Sequence, residues 1–588
     1  MLIGSRLDLK KIIDDDVTLM GLWCLPLHSD SMGDNVKYRV LESPWKTQQE
    51  LLQVCEEVEN LYQDLIHIFS KILNDFHELR ESVRFWKILI GPWLYWLINV
   101  GYDKYFRLLK ANEKNCGPLL GLPVNYFITP KDTSDFTFNI NYGDTYNLQI
   151  ITSIAYLINF PVVISESQDV TFINANKDVC FRQKNISLKI KIYHLIQKLF
   201  YSYANIILYN SYHSFRFVYN LFLESNGKIV EFPCDNEVLG ESSLISNAQF
   251  RQKFKEKIFS LISGQKTGTI KEVILQLASE QIPICFLEGF SKLKNSSKKK
   301  FGVKIPKKIA SASSWYCDEL FKLWAADSVS KGTKLLGLQH GGNYGASSYL
   351  FNEQHELEIT DQYFTWGWKD NLNKKIIPSP AQKLLDIIRY FPGRSVCDDI
   401  LYLGTSGSRF LLQFPEVPEK FPKYYGNQVE FISNLSSILT KRLKIRLHNE
   451  DGIWQIQKRL SQKFAGLNFE TLDLPFRNSI AKAKIIVCDH LSTTFIEVLA
   501  SNIPIILFWD PEIVCLRSSA QPYFDQLKEI GILHDSAKSA AEFLNLRYEE
   551  IGKWWYSSEC QSVVNNFCNT FAKQSSQPVK DWYNLLIF

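Results

Sequence analysis

The chain reads as an α/β protein with two Rossmann-like lobes facing a cleft, the N-terminal lobe carrying an α-rich elaboration. Three observations point there. Short apolar runs alternate with helical segments from about residue 205 to 345, and again from about 399 to 509. That spacing is typical of βαβ units in a parallel sheet. Several of those runs end in glycine- or hydroxyl-rich residues, at the carboxyl ends of strands where open α/β sheets bind ligands. Between Thr47 and Leu79, residues Leu51, Leu52, Cys55, Val58, Leu61, Leu65, Ile66, Phe69, Ile72 and Leu73 recur at three- and four-residue spacing. They predict a long amphipathic helix.

A second helix is expected from Arg84 to Leu109, broken near Gly91-Pro92, because proline removes a backbone donor and crowds the preceding turn. Its apolar run, Trp86 to Gly101, falls short of the roughly 20 residues that span a bilayer. This opening does not begin like a dinucleotide-binding unit. Further on, Asn205–Tyr209 reads as strand, Ser211–Glu224 as helix, and Ile282–Leu287 as another short apolar run. Lys308–Ala312 leads into a helix from about Cys317 to Val329, and Lys334–Leu338 follows as strand. Eight lysines between Lys292 and Lys308 read as a solvated loop, with contact to an anionic membrane surface or acceptor as the alternative. Turn formers from Trp368 to Ala381 set the lobe boundary, giving an N-terminal lobe of 1–375 with α-rich insertions at 47–110. The C-terminal lobe is then 376–545, with closing helices in 546–588. Its elements are strands at Asp399–Leu403, Leu443–His448, Ile485–Asp489 and Ile503–Trp509, and helices at Asn427–Lys441 and His490–Ala500.

Composition narrows the function classes. A hydrophobic share of 46% with 22% charged residues is globular, and a net charge of +4 gives no basic face for nucleic acid. The 12 cysteines stand singly with no CxxC pair, against a zinc ribbon or disulfide framework and for a reducing cytosol. The charged residues up to Asp16 leave no apolar core for a secretory signal. Asp14-Asp15-Asp16 could belong to a metal-dependent transferase of another fold, but a surface turn is the simpler account. There is no HExxH, GxxxxGK[ST] or GxSxG, so no metal and no cofactor are expected.

Candidate chemistry gathers at three strand ends. After Leu338 come Gln339, His340, Gly341, Gly342, Asn343, Tyr344 and Gly345, where glycines allow close backbone approach. His340 there could meet a phosphate or a reacting hydroxyl, or simply close a tight turn. After the Ile485 strand, Asp489-His490-Leu491-Ser492-Thr493-Thr494-Phe495-Ile496-Glu497 opens a helix whose first N–H groups suit a phosphate, with ordinary capping as the alternative. Gly404, Thr405 and Ser406 could cradle an anion, and Arg446 and His448 bring a cation and an imidazole to a neighbouring strand end.

Trp23-Cys24, Pro44-Trp45, Arg84-Phe85-Trp86, Gly91-Pro92-Trp93, Gln339 to Gly345, Asp361, Thr365-Trp366-Gly367-Trp368, Arg446, Asp489 to Glu497, Asn502-Ile503-Pro504 and Trp554-Trp555 together resemble the transferases of bacterial O-antigen and surface-carbohydrate gene clusters. More distantly, the C-terminal lobe is similar to GT-B glycosyltransferases of capsule and lipopolysaccharide assembly. That resemblance implies a metal-independent enzyme moving a sugar from a nucleotide-sugar donor to a carbohydrate or lipid-linked glycan acceptor. Donor contacts would come from Gly404, Thr405, Ser406, Arg446, His448, Ser492, Thr493, Thr494 and Glu497. Gln339, Gly341, Gly342 and Asn343 would lie on the acceptor side. His340 would be the base, with Asp361 and Glu353 as weaker candidates. Ser492-Thr493 fits the Ser-Ser/Thr motif of CMP-using sialyl- and Kdo-transferases, whereas His448-Asn449 lacks the proline of their His-Pro motif. The closing helices would pack back on the N-terminal lobe, and the enzyme would be cytoplasmic or peripheral at the inner membrane. A CDP-polyol or glycerol phosphotransferase and a non-catalytic polysaccharide-assembly protein are the alternatives.

Overall fold

The computed structural model describes residues 1–5, 17–25, 38–164, 195–233, 246–262, 268–393, 397–448 and 454–587. Asp14–Asp16 and Asn449 lie outside them. Three all-parallel sheets organise the chain, in keeping with the α/β class expected. The first holds β1 (Leu2–Ile3), β2 (Val17–Leu19), β3 (Tyr38–Val40), β4 (Leu119–Gly121) and β5 (Val162–Ile164), in the order β3-β2-β1-β4-β5. The opening, expected to be an α-rich elaboration, therefore carries a Rossmann-like sheet of its own. Strands of two or three residues are too short to show a period in the sequence.

The second sheet holds β6 (Ile206–Tyr209), β7 (Ile229–Phe232), β8 (Lys308–Ser311), β9 (Lys334–Leu338), β10 (Gln362–Thr365) and β11 (Ile376–Pro378), in the order β11-β10-β9-β8-β6-β7. The third holds β12 (Ile400–Leu403), β13 (Leu443–Arg446), β14 (Asn468–Phe469), β15 (Ile485–Cys488), β16 (Ile505–Phe508) and β17 (Leu533–His534). Its order, β14-β13-β12-β15-β16-β17, reverses direction between β12 and β15. Numbered within the sheet this is 3-2-1-4-5-6, the doubly wound arrangement whose ligand crevice opens at that reversal.

Helix Gln48–His77 starts at a capping box made by Thr47 and Glu50. Helix Val83–Glu113 runs unbroken through Pro92, contrary to the expected break. Burial around almost the whole middle of the helix keeps it continuous where a solvated one would part. Gly91 serves contact instead: a Cβ there would lie 2.7 Å from the Tyr62 hydroxyl and 3.0 Å from His355. Among the described residues no helix is long and apolar enough to cross a membrane. Residues of helix 83–113 share one core with residues of the first and second sheets.

Three local expectations change. The lysine-rich run is a helix from Phe290 to Phe301, with Phe290, Leu293, Ser297 and Phe301 buried and Lys292, Lys294, Lys298 and Lys299 exposed. Ile284–Phe286 is a 3-10 turn, held by N–H bonds from Ile284 to Pro130 O and from Cys285 to Lys131 O. The helix expected at Asn427–Lys441 is two helices, Phe421–Asn434 and Ser437–Arg442, because Ser436 caps the second. At the chain's end, helix Ser558–Phe571 packs on the third lobe, and helix Pro578–Ile587 crosses to helix Phe215–Glu224 beside the second sheet. Trp582 is buried there and donates to Pro380 O at 3.1 Å.

Candidate functional site

A cavity of about 370 Å³ opens at the carboxyl edge of the third sheet, where β12 and β15 part. Thr405–Ser408 follow β12 along one side, and Asp489–Ser492 follow β15 along another. Trp509 and Asp510, after β16, close the rear. Asn343 and Ser347–Leu350 of the second lobe face them, and Gln48, at the start of its helix, reaches in from beside the first sheet.

Asp489 anchors the floor. Its Oδ2 accepts from Tyr402 (2.6 Å), Tyr424 (2.8 Å) and the Gln428 amide (2.9 Å), while Oδ1 faces His490 Nδ1 at 2.8 Å. Burial, aided by this carboxylate, keeps both phenols neutral and donating. Burial works against charge on His490, but the Cys488 sulfur and the Asp489 carboxylate outweigh it and raise the imidazole above its usual range. His490 therefore stands on the cavity wall with its imidazole raised, a group that the reading of Ser492, Thr493 and Thr494 as phosphate donors passed over. The signal was its place directly after the strand-end Asp489.

The sequence-predicted donor residues divide. Thr405, Ser406 and Ser492 line the cavity. Ser492 caps helix Thr493–Ala500 by accepting from Thr494 N at 3.2 Å, and Thr493 accepts from Gly342 N of the facing lobe at 3.0 Å. Gly404 sits behind the loop, where its N–H reaches Arg446 O. Arg446 is outside the cavity lining, its fork spent on Glu470 (2.8 Å), Ser479 (3.2 Å) and Leu474 O (3.0 Å). A carboxylate one strand over has claimed the cation assigned to phosphate. His448 is exposed, and Glu497 pairs with Lys383 at 3.5 Å; neither lines the cavity.

Across the seam, the glycine-rich segment after β9 is a packing device. A Cβ on Gly342 would stand 2.6 Å from Ser492 O, so only glycine lets the two lobes meet this closely. On Gly345, at φ +71°, it would stand 2.5 Å from the Trp368 ring. On Gly341 it would stand 2.8 Å from Asn343 Oδ1. Gln339, assigned to the acceptor side, is buried, and its side chain is consumed by Trp366 N, Trp368 Nε1 and Gly341 O at 2.8 Å each. Asn343 does line the cavity.

His340 is partly exposed next to this seam, outside the cavity lining, and faces Glu356 Oε1 at 3.3 Å. Tyr316 and Tyr344 donate to the same buried carboxylate, and the Tyr344 hydroxyl stands 3.3 Å from the imidazole. Glu356 was missed because it lies on a helix, Phe351–Ile359, without a strand-end signature. The two weaker base candidates are placed elsewhere. Glu353 accepts from Gly345 N at 2.7 Å and pairs with Arg517 of the third lobe at 2.7 Å, so it braces the seam. Asp361 precedes β10, at the opposite edge of the sheet from His340, where it pairs with Arg84 at 2.8 Å and accepts from Leu335 N. Among the described residues no group of three or more His, Cys, Asp or Glu could hold a metal ion.

A doubly wound lobe whose crevice is roofed by a neighbouring α/β lobe puts this molecule among the multi-lobed α/β proteins with parallel sheets. More particularly, the chain belongs to the LIC12162 family of transferases, whose model matches residues 2–586. No curated protein matches it. Solved structures similar to it include MurG from Acinetobacter baumannii (9% identity, TM-score 0.30) and a UDP-GlcNAc 2-epimerase from Neisseria meningitidis bound to UDP-GlcNAc (11%, 0.36). A third is the spinosyn rhamnosyltransferase SpnG complexed with spinosyn aglycone (8%, 0.32). Each match covers 65% of this chain and 99% of the other. Likeness at this level says nothing of activity.

Proposed function

We propose that this transferase moves a glycosyl group from a nucleotide-sugar donor to a hydroxyl of a surface-polysaccharide or lipid-linked glycan acceptor. The observation that carries the reading is the cavity at the third sheet's reversal, with His490, held by the Asp489 carboxylate, on its wall. Donor phosphate fits beside His490, the Thr405–Ser408 backbone and Ser492, where a fixed cation offsets charge growing on the leaving nucleotide. His340 takes the acceptor proton, and Glu356 orients the ring and stabilises the imidazolium, the arrangement general-base catalysis requires. The close seam at Gly342 and Thr493 excludes water that would otherwise hydrolyse the donor. In this reading the nucleotide sugar is a substrate and no resident cofactor takes part.

Thermal-shift titration with CMP, CDP, UDP and GDP tests the donor site. At least one is expected to raise Tm, and no shift from any of them overturns the reading. Donor-dependent turnover in His340→Ala is expected to fall about 100-fold or more, in the range of lost general-base catalysis. Wild-type kcat in that variant removes His340 from the mechanism.

A further inference from the structure

The first sheet shares the strand order 3-2-1-4-5 with the third, so it too should open a ligand crevice at its carboxyl edge, between β1 and β4. That edge is filled by the third lobe. Arg409, from the loop after β12, is buried against it. Its guanidinium reaches both oxygens of Asp144, at 2.7 and 2.9 Å, and donates to Trp23 O. Asp144 opens helix Asp144–Leu157 and accepts from Ser5, directly after β1, at 3.1 Å. A helix start of that kind favours negative charge, and here the negative charge is the protein's own carboxylate. The edge therefore takes a cation from its own chain.

The same loop is held at further points. Phe414 N donates to Asn99 Oδ1 at 2.9 Å, and Trp96 Nε1 donates to Gln413 Oε1 at 3.1 Å. Phe410, Leu411 and Phe414 are buried in the core built around helix 83–113, apart from the cores that flank the third sheet. Farther on, Glu419 pairs with the fully buried Arg107 at 2.7 Å. On either side of the anchored stretch, Thr405–Ser408 and Gln413–Pro418 line the cavity.

We propose that the first sheet is a socket that sets the donor loop, and that Asp144 and Trp96 are positioning residues for nucleotide binding that never touch the ligand. The socket rests on the reading of the cavity as the nucleotide site. It predicts that weakening the anchor raises donor KM while kcat at saturation holds, because the chemistry belongs to the other wall.

The test uses the full chain and whichever of CMP, CDP, UDP and GDP stabilises the wild type most. Nucleotide Kd, donor KM and kcat, and amide exchange in 404–418 are measured in Trp96→Phe, which removes the indole N–H together with part of the buried ring, and in Asp144→Asn. Expected are faster exchange across the loop and a Kd and KM weakened about tenfold, within what misplacement at a distance costs, with kcat within twofold. The conservative Asp144→Glu is expected to recover part of the affinity. Faster exchange with unchanged Kd, or equal losses in kcat and KM, overturns the positioning role and leaves the socket as structure alone. Should Asp144→Asn fail to fold, Trp96→Phe decides by itself. A wild type that binds none of the four nucleotides defeats the site reading, a result separate from an unresponsive loop.

Discussion

The carboxyl edges of the first and third sheets are built on the same strand order and have opposite fates. At the third, glycine and hydroxyl residues turn away from the strand ends and leave a cavity with His490 on its wall. At the first, Asp144 occupies the corresponding helix start, and Arg409 with its apolar neighbours fills the space. A doubly wound sheet thus supplies a place to bind. At the first, the Asp144 carboxylate holds a cation of the chain itself.

Three perturbations bear on that contrast. The largest effect is expected from His490→Gln, which keeps a ring-sized polar group on the open edge but removes its charge. A hydrogen bond to a charged partner is worth about 1.5–3 kcal/mol, so nucleotide affinity by calorimetry should drop about 10- to 100-fold. Unchanged affinity would remove the His490 charge from the contrast between the two edges. Next comes Gly342→Ala, which forces a methyl against the Ser492 carbonyl and pries the roof from the open edge alone. Overpacking of this sort costs about 1–3 kcal/mol. Chemical denaturation should register it, with amide exchange faster at 489–494 and unaltered at Asp144. The smallest effect is on pH. His490 is raised in the folded state, so its stabilising contribution is complete below the ordinary imidazole value of about 6.5. It is lost as pH climbs through the raised value. Nucleotide affinity should therefore stay level just above neutrality and fall only in the alkaline range; a fall centred near the ordinary value would place the proton on another group.

How much of this was legible in sequence depends on what each signal measures. The four-residue strands β6, β8, β12, β15 and β16 announce themselves as apolar runs followed by polar residues, and the cavity lies where three of those runs, β12, β15 and β16, end. The first sheet could not be read, because two-residue strands such as Leu2–Ile3 leave no period. Residue type was a good guide to strand ends and a poor one to partners. Arg446 has the chemistry for phosphate, but Glu470 comes to it only through the fold. Asp361 looked like a base until the sheet placed it at the opposite edge from His340. Glu356 and Asp144, both on helices, carry their roles through contacts across long stretches of chain, and local pattern does not encode those.

Helix Pro578–Ile587 gives the molecule an order of assembly. Trp582 and Leu586 belong to the core of the second sheet, with Leu208, Ala310, Leu336 and Phe364. Domains generally form as units while the chain is being made, but this one cannot seal until a segment synthesised after the whole third lobe has arrived.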